Sequence, residues 1–472
     1  MAIFASRGRV PRMLSVLSGG AAVVLLLGAA ASPSSAGGAR ARAPVVAGVG
    51  ATTSGGAWGQ AKEVAAALNT GGFAYVQSVS CASAGNCTAG GSYNSSGFFQ
   101  AFVVTETNGA WGQAKEVAAA LNTRNDAGLK SVSCASAGNC TAGGFYTDSS
   151  GFSQAFVVTE AHGAWGKAQE VAGALNTGGW AHVDSVSCTS AGNCAAGGFY
   201  SVGSGFHGFV VTETHGAWGK PQQITGAGAV VSVSCASAGN CAAGGTYSDR
   251  SSDSLAFVVT ETHGIWGKLQ QVAGALNTGG FGAHVFSVSC ASAGNCSAGG
   301  SYSGSSGALA FVVDEANGIW GKAQQVAAAL NTGGRSQVDS VSCGSAGNCS
   351  AGGFYTDSSA NSQAFVVTER HGIWGKAQEV AAALNTGGSA AVSSVSCGSA
   401  GNCSAAGSGS AAFVVDEANG IWGKAQEVAG ALSVRGGAGL ASVSCTVSGS
   451  CSAGGSYQDR SARTQAFVVS KP

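Results

Sequence analysis

Short apolar runs, separated by glycine-rich polar stretches, repeat along most of the chain. Within residues 131–166 the order is SVSC, a five-residue spacer, a second Cys, Ala-Gly-Gly, a polar turn, AFVV, another turn and Trp-Gly. Eight copies of this unit follow one another, with a period of about 50 residues. A fixed period of this length indicates one array of repeated structural units rather than several independent domains.

Each unit contains four candidate strands. SVSC is the first, and the second runs from the second Cys through Gly-Gly to Tyr. AFVVTE is the third, and Trp-Gly-x-x-x-x-Val is the fourth. The continuous apolar AFVV run predicts a strand buried on both faces, and the paired glycines allow neighbouring backbones to approach closely. Asn-Gly or His-Gly before the fourth strand predicts a hairpin turn.

Four strands in about 50 residues predict the blade of an all-β propeller. The fold class is therefore an eight-bladed β-propeller of four-stranded blades. The chain begins halfway through a unit, because 56–70 carries Trp-Gly with no cysteine pair before it, and 442–469 has the pair and AFVV but no later Trp-Gly. We expect the N-terminal strand near Trp58 to complete the blade begun at Ser442 and to close the ring.

One stretch favours another fold. Residues 61–69, AKEVAAALN, are good helix formers that recur in most units, so an α/β repeat solenoid is the alternative. The fourth unit shortens this stretch: Trp218 to Cys235 spans 17 positions against 23 or 24 elsewhere, and Pro221 enters. An element that tolerates such a loss is typical of a loop, with at most a helical turn.

The sixteen cysteines form eight C-x5-C pairs. A hairpin turn over Ala-Ser-Ala-Gly-Asn brings two facing Cα atoms within disulfide reach. Metal binding is the rival interpretation, but no second pair or recurring His lies at ligand spacing, so we expect no metal site. The predicted disulfides are Cys81–Cys87, Cys134–Cys140, Cys188–Cys194, Cys235–Cys241, Cys290–Cys296, Cys343–Cys349, Cys397–Cys403 and Cys445–Cys451.

The first residues are typical of an export signal. Arg7, Arg9 and Arg12 precede a run of small and aliphatic residues, and Ser-Ser-Ala at 34–36 offers a cleavage site. Residues 1–36 are thus interpreted as a secretory signal peptide, with a retained membrane anchor as the alternative. Residues 37–54 are interpreted as a flexible linker, and 55–472 as the propeller. Disulfides and signal together predict a secreted protein, free or associated with the cell surface, with no membrane span after cleavage.

The unit resembles the kelch-type blade. Gly143-Gly144 closes the second strand, the aromatic Tyr146 follows, and Trp165 opens the fourth strand. The turn Thr-Glu-x-(Asn/His)-Gly-x-Trp is also loosely similar to the Asp-box of sialidase-type propellers, with Glu106 or Glu160 at the carboxylate position. The nearest overall resemblance is to secreted, disulfide-bearing propeller repeats of actinobacterial exported proteins. The shared landmarks are structural in those families, so the resemblance implies a fold and no catalytic residues.

The most recurrent polar residues are best explained by folding. A Glu ends the third strand in seven units, and its recurrence beside a turn predicts a solvated or turn-bracing side chain. His and Asn alternate before the turn glycine, which suits a position of positive φ and does not suit catalysis. Trp-Gly predicts packing. No nucleophile elbow, metal-binding His pair or phosphate loop is present, so we expect no cofactor.

Candidate binding residues lie where the copies differ. In a propeller the second-to-third loop and the blade-to-blade connection open on the same face, and the length changes fall in these two loops. Aromatic and His side chains there could stack on sugar rings or anchor a protein, or could only cap the blade ends. The candidates in these connections are Phe73, Tyr75, Trp180, His182, Phe281, His284 and Arg335, with Arg124 and Asp126 in a variant loop.

Three functions remain open. A non-catalytic extracellular binding or scaffold protein is favoured, with a carbohydrate or protein ligand on the loop face and the chain a monomer. A carbohydrate-active hydrolase or lyase would need a unique pair of carboxylates near the central channel. Acids outside the common pattern are Asp126, Asp184, Asp253 and Asp339. A structural cell-envelope protein is the third. Charged residues are 9% and the formal net charge is zero, which argues against nucleic acid.

Overall fold

The computed structural model describes residues 56–472 except 125, 249–252, 281, 306 and 435. The predicted signal peptide, the linker and Phe281 lie outside the described residues. The described residues form one compact unit. Within it the strands form antiparallel sheets in the order first, second, third, fourth, repeated eight times.

The first strands are Ala74–Ser83, Ala127–Ser136, Ala181–Ser190, Ala227–Ser237, Ala283–Ser292, Ser336–Ser345, Ala391–Ser399 and Gly439–Cys445. The second strands are Asn86–Ser95, Asn139–Thr147, Asn193–Val202, Asn240–Ser248, Asn295–Gly304, Asn348–Thr356, Asn402–Ser408 and Cys451–Gln458. The third strands are Phe98–Thr107, Ser153–Ala161, Gly205–Thr214, Ser254–Thr262, Gly307–Ala316, Ser362–Arg370, Ala412–Ala418 and Thr464–Lys471. We number blades 1 to 8 in this order.

The fourth strand is interrupted in blades 1 to 7. A two-residue segment ending in the Trp pairs with the end of the third strand, and a second short segment pairs further along it. These segments are Ala110–Trp111 with Lys115–Val117, Ala164–Trp165 with Gln169–Val171, Ala217–Trp218 with Gln222–Gln223, Ile265–Trp266 with Gln270–Gln271, Ile319–Trp320 with Gln324–Gln325, Ile373–Trp374 with Gln378–Val380, and Ile421–Trp422 with Gln426–Val428.

The ring closes as the split unit predicts. Lys62–Val64 is the fourth strand of blade 8, and it pairs antiparallel with Thr464–Lys471. The eighth and first blades then meet through the same contacts that join consecutive blades: the N–H of Val79 donates to Ser442 Oγ at 3.0 Å. The prediction of a closed eight-bladed propeller is confirmed, and the α/β solenoid is wrong. The AKEVAAALN stretch forms a short strand and a turn, with one 3₁₀ turn at Ala382–Leu384 in the part of the chain described.

The core lies between blades. In each AFVV run alternate side chains face opposite neighbours: Phe467 and Val469 pack in the cluster between blades 7 and 8, whereas Ala466 and Val468 pack in the cluster between blades 8 and 1. All eight phenylalanines of this motif are fully buried. The core is therefore a set of eight similar interfaces, which explains why the apolar residues recur so regularly.

The paired glycines are required by a bulge in the first strand. In blade 3, Val183 faces Gly198 and Ser185 faces Gly197, so Asp184 is an extra residue with no partner. A Cβ on Gly198 would lie 1.9 Å from the carbonyl oxygen of His182, while a Cβ on Gly197 would meet Val230 of the next blade at 2.5 Å. The first glycine of the pair is therefore required by the side chains of the next blade, and the second by the backbone of the adjacent first strand.

All eight predicted disulfides are present and each joins neighbours in sequence. The half-cystines face each other across the first and second strands, with Cα atoms 3.9 to 4.1 Å apart. Each bridge closes a turn at the same end of its blade as the third-to-fourth hairpin. We call this end of the propeller the disulfide face, and the opposite end, with the second-to-third loops and blade connections, the loop face.

Candidate functional site

On the loop face each blade connection lies beside the second-to-third loop of the preceding blade. Isolated bridges join Ser153 to Trp180 and Phe73 to Thr464, and the same arrangement joins Ser362 to Ser389. The two variable loops therefore form one continuous surface, as the sequence predicts. This surface carries most of the differences between the copies.

A buried asparagine fixes the connections that precede blades 1, 2 and 3. Asn176 Oδ1 accepts the N–H of Trp180 at 2.9 Å, and its Nδ2 donates to the carbonyl of Ser153 and to Gln154 Oε1, both at 2.9 Å. Asn69 holds Phe73 in the same way, at 2.8 Å. The backbone that carries these aromatic residues is thus braced before any ligand arrives, which reduces the entropy lost on binding.

Among the described residues, the exposed aromatic side chains of this face are concentrated over blades 1 to 3. Trp180 is 58% exposed and Phe73 is 40% exposed. The large exposed aromatic residues, which we call the aromatic arc, are Phe73, Phe98, Phe99, Phe152, Trp180 and Phe206. An exposed apolar group of this size on an otherwise polar face is typical of a binding surface.

Ring contacts link parts of the arc to the inner strands. Phe73 packs edge-on against Phe99 at 5.7 Å and against Tyr75 at 5.9 Å between ring centroids. Phe206 packs against Phe199 at 5.4 Å. These contacts hold the rings of Phe73, Phe99 and Phe206 in defined orientations.

The histidines predicted as ligand groups lie deeper than the arc. His182 stacks on Phe145 at 4.4 Å, and its Nε2 lies 3.1 Å from Ser153 Oγ. Burial, and then the charge of Lys130, lower the pKa of His182 to about 3, so its ring is neutral at ordinary pH. His284 stacks on Phe286, and burial lowers its pKa too. The rings of His182 and His284 therefore lie beneath the exposed surface of the loop face.

Arg335, the remaining candidate, is separated from the other candidate residues. Arg335 is exposed in the connection before blade 6, on the far side of the ring from the arc. Phe98, Phe99, Phe152 and Phe206 lie in or beside the second-to-third loops, and the sequence analysis did not name them. The phenylalanines of these variable loops are visible in the sequence, and they could have been identified from it.

The unusual acids do not form a catalytic pair. Asp184 and Asp339 both occupy the bulge of a first strand, in blades 3 and 6, with two blades between them. Burial raises the pKa of Asp184 to about 6, partly offset by Lys130, and that of Asp339 to about 7. Asp126 lies in the connection before blade 2. Among the described residues, no group of three or more His, Cys, Asp or Glu could hold a metal ion.

The recurrent Glu on the disulfide face lies in a different environment from the one that its sequence pattern predicts. Its seven members are buried, so the expected solvated position is wrong, and burial raises the pKa of each. They lie between blades; a cleft of about 400 Å³ lined by Glu160, His162 and Trp165 opens beside one of them. The expected turn role of His and Asn is confirmed, because both adopt positive φ, as at Asn108 and His162.

No protein-family model and no curated protein matches the chain. Solved structures do match its fold. Sqt1 from Chaetomium thermophilum, solved bound to the N-terminus of the ribosomal protein L10, is 12% identical, with a TM-score of 0.51 over 85% of this chain and 98% of that chain. The WD40 repeats of RRP9 are 11% identical, with a TM-score of 0.44 over 73% and 94%. Identities this low establish a shared fold alone.

Among the described residues no helix is long and apolar enough to cross a membrane.

Proposed function

We propose that the chain is a secreted, non-catalytic β-propeller that binds a protein partner through the aromatic arc. The observation that carries this proposal is the concentration of exposed aromatic side chains on one sector of the loop face. Repeats that differ from one another over one face commonly form the binding face. Aromatic anchors with a large apolar area are the side chains that dominate protein interfaces.

A protein partner fits the composition of the arc. Five of its six members are phenylalanines, whose rings offer apolar area and no hydrogen-bonding group. The fold is compatible with such a role, since Sqt1, which shares it, has been solved with a protein N-terminus bound. That likeness supports the scaffold and does not identify the partner.

Carbohydrate is the second candidate ligand, and Trp180 favours it. Its indole is the largest ring of the arc and is 58% exposed on a braced loop. A flat accessible ring of this kind can stack on a sugar. In that case binding would depend on Trp180 much more than on Phe73, whereas a protein interface would depend on both.

Secretion is supported by the disulfides. Eight intrachain bridges are typical of proteins that fold in an oxidising compartment. Our interpretation of residues 1–36 as a cleaved signal, of 37–54 as a linker and of the mature chain as a monomer belongs to this proposal. So does the resemblance to kelch-type and actinobacterial exported repeats, which rests on the landmarks Gly143-Gly144, Tyr146 and Trp165.

A binding screen with matched variants tests the proposal. The chain is applied to arrays of extracellular proteins and of glycans, together with Phe73→Ala, Trp180→Ala and Ile265→Ala. Ile265 is 75% exposed on the disulfide face, so its variant removes apolar area from the opposite side. We expect protein binding that both loop-face variants weaken at least tenfold and that Ile265→Ala preserves. Glycan binding lost only with Trp180→Ala would establish the second candidate. Absence of binding on both arrays, or equal loss with Ile265→Ala, would overturn the proposal.

A further inference from the structure

A polar pair recurs at the interfaces between blades, on the disulfide side. A hydroxyl residue near the end of one third strand donates to the recurrent Glu of the next blade. Ser470 bonds Glu106 at 3.1 Å, Thr159 bonds Glu213 at 3.2 Å, Thr260 bonds Glu315 at 2.7 Å and Thr368 bonds Glu417 at 2.8 Å. Because a hydroxyl can donate to a carboxylate, each of these pairs is compatible with an ionised Glu.

The interface between blades 7 and 8 carries opposite charges at the two positions. Asp416 replaces the hydroxyl residue and Lys471 replaces the Glu, and their side chains form an ion pair with an N–O distance of 3.0 Å. The indole N–H of Trp58 also donates to Asp416, at 3.2 Å. An acid at the hydroxyl position of one blade is therefore tolerated when the Glu position of the next blade carries a positive charge.

The interface between blades 5 and 6 has an acid at both positions. Asp314 replaces the hydroxyl residue, and the recurrent Glu is retained as Glu369. Asp314 Oδ1 accepts from Ser297 Oγ at 2.7 Å, and Oδ2 accepts from the indole of Trp374 at 2.8 Å. Glu369 is 2% exposed and its Oε2 has no hydrogen-bond partner. Two hydrogen-bond donors therefore stabilise a negative charge on Asp314, whereas no donor contacts Oε2 of Glu369.

Among the described residues, no positive charge lowers the pKa of Asp314 or of Glu369. Lys115, whose charge lowers the pKa of Glu160 at the interface of blades 1 and 2, is replaced by Gln324 at the matching position of blade 5. Glu315, beside Asp314, accepts from Thr260 of blade 4, and Arg370, beside Glu369, donates to the carbonyl of Gly420 in blade 7. Burial first, and then the charge of Asp314, raise the pKa of Glu369 to about 7.

We propose that Asp314 and Glu369 hold one proton between them in mildly acidic solution, and that its loss as the pH rises through neutrality loosens the contact between blades 5 and 6. The side chains at the two equivalent positions of blades 7 and 8, Asp416 and Lys471, lie 3.0 Å apart, and two buried carboxylates in this arrangement cannot both ionise without a compensating charge. A divalent metal would need several more oxygen or nitrogen ligands, and among the described residues no third acid, His or Cys joins the pair. The joint between blades 5 and 6 is therefore expected to respond to pH more strongly than the joints that contain a single buried Glu, such as Glu213.

Hydrogen exchange of the whole chain tests this proposal. Amides of Ser362–Arg370, the third strand of blade 6, are compared with those of Gly205–Thr214, the third strand of blade 3, at pH 6 and pH 8, after correction for intrinsic exchange. Stabilisation of the protonated folded form is complete below the ordinary Glu pKa and is lost as pH rises through the raised one. We expect opening of the blade 6 strand to increase about tenfold more than that of the blade 3 strand.

Two variants reproduce arrangements found elsewhere in the chain. Asp314→Thr restores the hydroxyl–Glu pair of the other blades, and Glu369→Lys reproduces the Asp416–Lys471 pair. Both are expected to abolish the excess opening at pH 8. Equal pH responses of the two strands in the parent chain, or persistence of the excess in Asp314→Thr, would overturn the proposal. Suppression of the excess by added calcium chloride would also overturn it, in favour of a metal between the carboxylates.

Discussion

The hydroxyl of Ser442 accepts a hydrogen bond of 3.0 Å from the backbone N–H of Val79, although 363 positions separate the two residues. Ser444 accepts from Cys81 in the same way, at 2.9 Å. Equivalent bonds join every pair of neighbouring blades, so that both serines of each SVSC motif cap the open edge of the next first strand. The innermost edges, which would otherwise present unpaired backbone groups, are thereby satisfied.

Substitution of Ser442 by Ala is expected to lower the free energy of unfolding by about 1–2 kcal/mol, because the amide of Val79 loses its acceptor at a partly buried edge. Urea unfolding followed by tryptophan fluorescence measures the change. Ser149→Ala, in an exposed turn, is the control and is expected to have an effect within about 0.5 kcal/mol. Equal effects of the two variants would contradict the capping role.

Trp58 anchors the strand that closes the ring. It packs against the core between blades 7 and 8, donates to Asp416 and lies 5.6 Å from Lys471 Nζ. Trp58→Ala is expected to destabilise the protein by about 2–4 kcal/mol, and Trp58→Phe by about 1 kcal/mol through the lost N–H donor. Thermal unfolding would measure both. Trp180→Ala, which removes an exposed indole, serves as the control, and a loss as large as that of Trp58→Ala would refute the anchoring role.

The two glycines of one pair are expected to differ in tolerance. In Gly197→Ala the new methyl meets only side chains of the next blade, and blade 7 carries Ala406 at this position, so the cost is about 1–3 kcal/mol. In Gly198→Ala the methyl meets the carbonyl of His182 and cannot be relieved by a side-chain rotation, so we expect more than about 3 kcal/mol. Chemical denaturation of the two variants compares them, and a reversed order would refute the bulge explanation.

Removal of one disulfide is expected to weaken the fold by a modest amount. The bridge between Cys188 and Cys194 closes a separation of 6 residues, for which chain entropy predicts a loss of about 2 kcal/mol. The double variant Cys188→Ser with Cys194→Ser should therefore still fold and unfold at lower temperature. Peptide mapping of the parent chain checks the pairing; any bridge between different blades would contradict it.

Much of the architecture could be predicted because it depends on local spacing. The C-x5-C turn, the AFVV run and the Asn-Gly or His-Gly hairpin each specify a short-range structure, and the split unit at Trp58 and Ser442 specifies closure. What the sequence could not show is contact between units. The serines of SVSC were overlooked beside the cysteine because their partners lie in the next blade.

The same reason explains the error over the recurrent Glu. Next to a turn, Glu106 looks solvated, yet it is covered by Ser452 and Ser470 of the preceding blade in the ring, which lie at the other end of the sequence. Of the candidate binding residues, Phe73 and Trp180 are exposed, whereas His182 is covered by a phenylalanine from the neighbouring blade. Exposure on the loop face depends on packing between blades, which no single unit encodes.

The buried glutamates predict that the protein is more stable in mild acid than in alkali. Burial raises the pKa of Glu213, whose Oε2 has no partner, so the protonated form is favoured in the folded state. The resulting stabilisation is present below the pKa of the unfolded chain and is lost as pH rises through that of the folded state. Glu213→Gln is therefore expected to raise the unfolding temperature at pH 8 and to leave it nearly unchanged at pH 4. The exposed Glu427→Gln is the matched control and should be neutral at both. Differential scanning calorimetry at the two pH values measures the effect, and stabilisation confined to pH 4 would show that the sign of the linkage is wrong.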